Sequence, residues 1–195
     1  MLSLEVYFNT VLETKRLILR PYLASDYKVW SNGYSQRKPH SHIYDDGPYE
    51  KEWISKKYFL QTLQVFKEQA EKDEMYVFGI FHKKTNQNLG HVDLATIARK
   101  NNHWANLGYL VHNQFQNKGF AKEAALAALE IGFTKLHYHR VEAAITKDNL
   151  RSIAVAKAIQ LKKECIRKKF FFDNNEWKDQ IIFVKIASAI KRPLK

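Results

Sequence analysis

The residues of this sequence best suited to chemistry are Gln116-Asn117-Lys118-Gly119-Phe120-Ala121, followed by Lys122. They lie between an apolar stretch ending at Val111 and a helical pattern that begins near Lys118. The first turn of a helix leaves backbone N–H groups without intrahelical partners, at the positive end of its macrodipole. An anion, phosphate above all, is stabilised at such a place. Gly119 would let the chain approach phosphate oxygens without an intervening Cβ, and Lys118 and Lys122 add positive charge. Taken alone, a glycine at a helix start reads as readily as punctuation of a turn.

Other reactive groups are scattered. Cys165 is the single cysteine, and none of the eight histidines stands with it at triad-like spacing, so a cysteine nucleophile is not expected. No CxxC or His/Cys cluster has metal-ligand spacing, and no metal is expected. Asp148 or Asn149 is suited to cap a helix.

These groups need a framework. Arg16-Leu17-Ile18-Leu19-Arg20-Pro21 alternates and stops at a proline, as a first strand would. Ser25 or Asp26 would cap a short helix through Trp30, and residues 33–48 are polar and irregular. From Glu50 a longer helix is expected, with Phe59, Leu63, Phe66 and Ala70 on one stripe. Residues 76–81 and 89–94 read as a hairpin about the turn 83–88, and residues 104–111 as a third strand. The clearest helix spans residues 118–136, where Ala121, Ala125, Ala128 and Gly132 form a ridge of small side chains able to lie close to a sheet. A strand over 140–145, a helix to about Gln160 and two closing strands near 165–172 and 177–186 complete an α/β chain. The order is β-α-α-β-β-β-α-β-α-β-β, with a sheet of mixed direction.

A chain of 195 residues without repeats or Pro/Gly/Ser-rich linkers suits one domain, 1–195, with a core over about 13–186 and a basic tail ending Lys191-Arg192-Pro193-Leu194-Lys195. Residues 1–6 lack a basic segment followed by an apolar core, and no apolar run approaches the roughly 20 residues that span a bilayer. The cytoplasm is the expected location, with no membrane partner. The net charge of +12 attracts anions of many kinds without choosing among them, and solvated faces such as Lys51-Glu52 to Lys56-Lys57 account for part of it.

Leu107-Gly108-Tyr109-Leu110-Val111, four residues, then Gln-x-x-Gly-x-Ala resembles the acyl-CoA-binding motif of the GNAT acetyltransferase superfamily. The likeness continues in register. Residues 14–21, His139-Arg140-Val141-Glu142-Ala143, Asn149-Leu150-Arg151-Ser152, and Glu164, Arg167, Trp177 and Asp179 resemble its ribosomal-protein N-acetyltransferase branch (RimJ and RimL). The resemblance implies the GNAT fold, a mixed central sheet of about seven strands with about four helices, and acetyl-CoA as cosubstrate. It implies that the strand before the cradle splays from its neighbour. Tyr109, Leu110 and Val111 would then pair with the pantetheine arm, and a backbone N–H there would steady an oxyanion. Gln116, Asn117, Lys118, Gly119, Phe120, Ala121 and Lys122 would hold the pyrophosphate. Ser152 would sit near the cofactor sulfur and donate to the departing thiolate. Asn149 would either contact the cofactor or cap its helix.

The chain also departs from that pattern. Asn106 and Phe171 stand where relatives carry glutamate, so the general base is sought among Asp93, His91, His112 and Glu142. Asp93 is preferred, since it interrupts an apolar strand beside the expected cleft, and Glu142 is given a structural role. The glycine that ends the last helix in relatives is replaced within Ala158-Ile159-Gln160-Leu161, implying a different helix exit.

The function implied is direct acetyl transfer to an amine, foremost the N-terminus of a protein, ribosomal in this branch, with association to the ribosome through the basic surface. The protein would act as a monomer or homodimer. Residues 35–53, with Asp45, Asp46, Glu50 and Glu52, would line the acceptor side and attract a cation. The alternatives are acetylation of a small amine (polyamine, amino acid, aminoglycoside) and a non-catalytic acetyl-CoA-binding protein docking on RNA. Against the last, Phe170-Phe171-Phe172 reads as sheet core.

Overall fold

The computed structural model describes residues 4–188 apart from Ser41 and Asp46. Asp46, residues 1–3 and the basic tail 191–195, all read above, lie outside the described residues. The elements are α1 (Leu4–Phe8), β1 (Leu12–Glu13), β2 (Leu17–Arg20), α2 (Tyr27–Ser35), α3 (Lys56–Glu71), β3 (Met75–His82), β4 (Asn88–Ala98) and β5 (Trp104–Val111). Then follow α4 (Phe120–Thr134), β6 (Arg140–Thr146), α5 (Leu150–Ala158), β7 (Lys162–Asp173) and β8 (Glu176–Ile186). One eight-stranded sheet holds them in the order β1-β2-β3-β4-β5-β6-β8-β7. Among the described residues, only the β5–β6 pairing is parallel.

The expected succession is present, with two short additions at its start. Among the described residues, α1 and the two-residue β1 raise the counts to five helices and eight strands. α1 is fixed by Tyr7, fully buried, whose hydroxyl donates to the Val77 carbonyl at 2.7 Å.

Three helix starts differ from expectation, each for its own reason. Asp26 does not cap a helix. Both its oxygens accept from Arg20 at 2.7 Å, and one also takes the Leu23 N–H, closing a 3-10 turn before α2 runs on to Ser35. Residues 51–54 form a further 3-10 turn, and α3 starts after Ser55, whose hydroxyl accepts the Tyr58 N–H at 3.2 Å. α4 starts at Phe120 after Gly119, which is left-handed at φ +77°.

Each face of the sheet has its own core. On one, α4 lays Ala124, Ala125, Ala128 and Gly132 against the sheet so closely that a Cβ on Gly132 would meet Leu94 Cδ1 at 3.2 Å. On the other, Tyr22, Trp30, Phe59, Val77 and Phe81 pack beneath α2 and α3. α5 ends through Gln160 at φ +64°, with the Leu161 N–H bonded to the Ala156 carbonyl at 3.0 Å. The expected change of exit is thus corrected: an ordinary residue takes the left-handed place that glycine favours.

A second correction concerns Phe170, Phe171 and Phe172, which are not core but about half exposed, at 50%, 47% and 54%. β8 lies between β6 and β7, so β7 is the outer strand and both its faces meet solvent along most of its length. Among the described residues, no helix is long and apolar enough to cross a membrane.

Candidate active site

The sheet opens between its two parallel strands. β5 pairs with β6 only at Trp104–Arg140, Ala105–Val141 and Asn106–Glu142. Beyond that point the Asn106 amide oxygen reaches across to accept the Ala144 N–H at 3.3 Å, and residues 107–111 have no ladder with β6. The opening continues into a cleft of about 480 Å³ lined by Tyr109, Leu110, Val111, Gln116, Asn117, Gly119, Phe120, Ala121, Lys122, Asn149 and Ser152. Every cofactor-side residue singled out in the sequence is among these except Lys118. Its ammonium lies 3.5 Å from the Gln114 carbonyl, beside the Phe115 ring.

Two arginines that no local pattern marks support the cleft, one in its lining and one behind it. Arg151 lines it and donates to the Gln116 side-chain oxygen at 2.9 Å. Arg16 reaches α4 from the start of the sheet. Its Nε meets Glu123 Oε2 at 2.7 Å, its Nη1 donates to the Lys118 carbonyl at 2.9 Å, and its guanidinium covers the Phe120 ring. Glu123 also accepts from the Thr14 hydroxyl and the Arg16 N–H, contacts that hold its carboxyl below the usual range despite some burial. The cradle is therefore braced by an ion pair spanning more than 100 residues of sequence, which explains why the sequence did not reveal it.

Asn149 caps α5, its side-chain oxygen accepting the Ser152 N–H at 3.1 Å. Of its two readings the geometry supports the cap, while the residue still lines the cleft. Ser152 Oγ lies 2.7 Å from the hydroxyl of Tyr109. Burial raises the Tyr109 phenol above its ordinary range, and the bond to Ser152 opposes that rise.

A second cavity of about 1090 Å³ adjoins the first, between the sheet and the loop before α3. It is lined by Trp104, Asn106, Glu142, Ala144, Arg167, Phe170 and Phe171 among others. The two cavities share Tyr44, Asn149 and Ser152. The Tyr44 hydroxyl donates to Asp148, fastening the loop to the start of α5.

The acidic acceptor loop is partly corrected. Asp45 is buried and bound to Arg37 at 3.1 Å and to Asn113 at 3.0 Å, so it is not presented to an incoming cation. Glu50 and Glu52 are exposed and line neither cavity.

Among the residues considered as a base, the histidines fit poorly. Burial, then the charge of Arg37, lowers His91 to about 4 and His112 to about 3. Glu142 is fully buried and its carboxylate is gripped by Arg167 at 2.7 and 3.1 Å, in keeping with a structural role. Asp93 lies on β4 facing Gly108, where an added Cβ would be 2.3 Å from its Oδ2, and it lines neither cavity.

Burial pushes the Asp93 carboxyl from 3.8 up to about 6. Between those values the folded chain holds a proton that the unfolded chain has lost, so stability falls as pH rises through the window. Asp93→Asn is expected to stabilise the protein by roughly 2–3 kcal/mol at pH 8. The gain should vanish near pH 4, as urea midpoints at the two pH values would show.

The model of the acetyltransferase (GNAT) domain matches residues 16–162, and the chain belongs to this family of N-acetyltransferases. It is 34% identical over 114 residues to "Probable N-acetyltransferase YjcK" of Bacillus subtilis, covering 58% of this chain and 63% of that protein, less than two thirds of its length. It is 25% identical over 178 residues to the [ribosomal protein uS5]-alanine N-acetyltransferase of Escherichia coli, covering 88% of each. The solved structure of Mycobacterium smegmatis RimJ in complex with CoA-disulfide superimposes with a TM-score of 0.77, covering 93% of this chain and 89% of that one, at 20% identity.

Proposed function

We propose that this chain is a single-domain enzyme that transfers acetyl from acetyl-CoA directly to the N-terminal amine of a protein, a ribosomal protein foremost. The observation that carries this reading is the meeting of two cavities at Ser152. One is lined by an anion cradle and cationic side chains, and the other opens to an acceptor.

Acetyl-CoA supplies the activated acyl group. The first turn of α4, with Gly119, Lys122 and Arg151 beside it, suits a pyrophosphate. Residues 107–111 pair with β4 on one side, and their other edge, which has no ladder with β6, suits an extended amide-bearing arm. A neutral amine entering from the larger cavity would attack the thioester carbonyl, and a backbone N–H of the opened strand would stabilise the oxyanion. Collapse breaks the C–S bond, the Ser152 hydroxyl hydrogen-bonds the departing thiolate, and the amine releases one proton. An α-amine with a pKa of about 7.7–8.0 is substantially neutral in mildly alkaline solution, so a strong base is not demanded. Asp93, which lines neither cavity, would act through water or not at all.

The uS5 relative supports a protein acceptor and, with it, a cytoplasmic site of action near the ribosome. Isothermal titration is expected to show one acetyl-CoA per chain with micromolar affinity. The absence of heat at millimolar cofactor would end this reading.

A further inference from the structure

The larger cavity has a wall that no member of the expected catalytic set explains. In β7, Lys168, Lys169 and Phe170 stand opposite Asp179 alone, because Arg167 pairs with Gln180 and Phe171 with Lys178. This bulge is pinned by Asp179. Its carboxylate accepts the Lys169 N–H at 3.0 Å and the Lys168 ammonium at 3.1 Å, while Lys169 turns through φ +45°. In a regular strand, consecutive side chains point to opposite faces. Here the bulge brings Phe170 into the cavity wall alongside Phe171, and Trp104 lines the same cavity. Bulges of this kind re-aim side chains beside active sites.

The charges of the wall are already spoken for. Arg167 holds the Glu142 carboxylate and lies over both the Trp104 and Phe170 rings, and Lys178 holds Asp173 at 2.8 Å. A polycation would find the carboxylates there, Glu142 and Asp173, already partnered. An apolar side chain, in contrast, would displace water from two half-exposed phenyl rings.

Resting on the proposed acetyl transfer, we infer that this cavity selects polypeptide acceptors whose second residue is apolar, gripping it with Phe170 and Phe171, and that Asp179 is the positioning residue that turns them inward. The occupant is the start of a polypeptide, and the cavity's continuity with the cofactor cleft at Ser152 puts its amine within reach of the acyl group.

The test is a titration of the full chain, with and without saturating CoA, by tetrapeptide amides beginning Ala-Phe, Ala-Leu, Ala-Gly and Ala-Asp, and by spermidine. Ala-Phe and Ala-Leu peptides are expected to bind about tenfold more tightly than Ala-Gly. Phe171→Ala should erase that preference while leaving Ala-Gly and CoA affinities and the urea midpoint in place, because the ring is half exposed. Asp179→Ala should reduce the preference with every aromatic side chain retained. Asp179→Asn, which still offers an oxygen to the Lys169 N–H, should restore most of it. Equal affinities across the panel, no binding by any peptide, or tighter binding of spermidine would overturn the inference. Failure of CoA to bind would instead sink the proposed function, while the peptide titration without CoA would still decide the wall.

Discussion

Ser152→Ala is expected to lower turnover about a hundredfold while leaving acetyl-CoA affinity within about twofold, the lower end of what a positioned proton donor contributes. The substitution removes one hydroxyl at the junction of the two cavities and little else. The Ser152 N–H still satisfies Asn149, so the α5 cap survives. Tyr109 loses a partner at 2.7 Å but keeps the Ser152 carbonyl at 3.4 Å within reach. A merely structural serine would show the reverse pattern, a shifted melting temperature with turnover intact. Ser152→Thr, which restores a hydroxyl, should recover part of the rate. Steady-state kinetics together with a cofactor titration separate these outcomes, and unchanged turnover would remove Ser152 from the chemistry.

Gly90→Ala should cost more than about 4 kcal/mol, enough to leave little folded protein at 25 °C. Gly90 sits where the β3–β4 register shifts between Ile80 and Phe81, at φ +141°, a conformation open essentially to glycine alone. An alanine Cβ would lie 1.9 Å from the Leu110 carbonyl oxygen and 2.9 Å from the Leu110 carbonyl carbon, both backbone atoms that cannot swing away. The Gly90 carbonyl is also held, by the Tyr22 hydroxyl at 2.8 Å and the Asn88 amide at 3.0 Å. The clash therefore falls on β5, the strand that opens to form the cleft. Urea unfolding, or the soluble yield where no transition is seen, checks the claim, and a loss under about 1 kcal/mol would contradict the geometry.

The pattern of these sites shows what a sequence reveals. The cleft was legible because its parts are nearly contiguous: a strand, a glycine-started helix, and a second helix whose cap announces itself through Asn149. Periodicity located α4, α5 and the central strands for the same reason. What escaped depends on pairings between distant segments. Arg16 with Glu123 and Tyr109 with Ser152 meet only once the sheet has formed. The three phenylalanines read as core because aromatic residues in a strand are usually buried. Burial depends on neighbours, and no local signal says that β8 inserts between β6 and β7. Asp93 is preferred as the base because it interrupts an apolar strand, yet the pairing of β4 with β5 sets it against Gly108, and it lines neither cavity.

The outermost strand has a consequence of another kind. An edge strand exposes one row of backbone groups, and such a row is a template on which another chain can grow. β7 occupies that place, and Lys162, Lys163, Arg167, Lys168 and Lys169 stud its length while two register shifts break its line. Two copies approaching edge to edge would press like charges together within the roughly 8 Å over which physiological salt leaves them unscreened. Their backbones would also find no unbroken register to share. Part of the net charge of +12 is thus placed along a sheet margin, where it opposes edge-to-edge pairing of two such sheets.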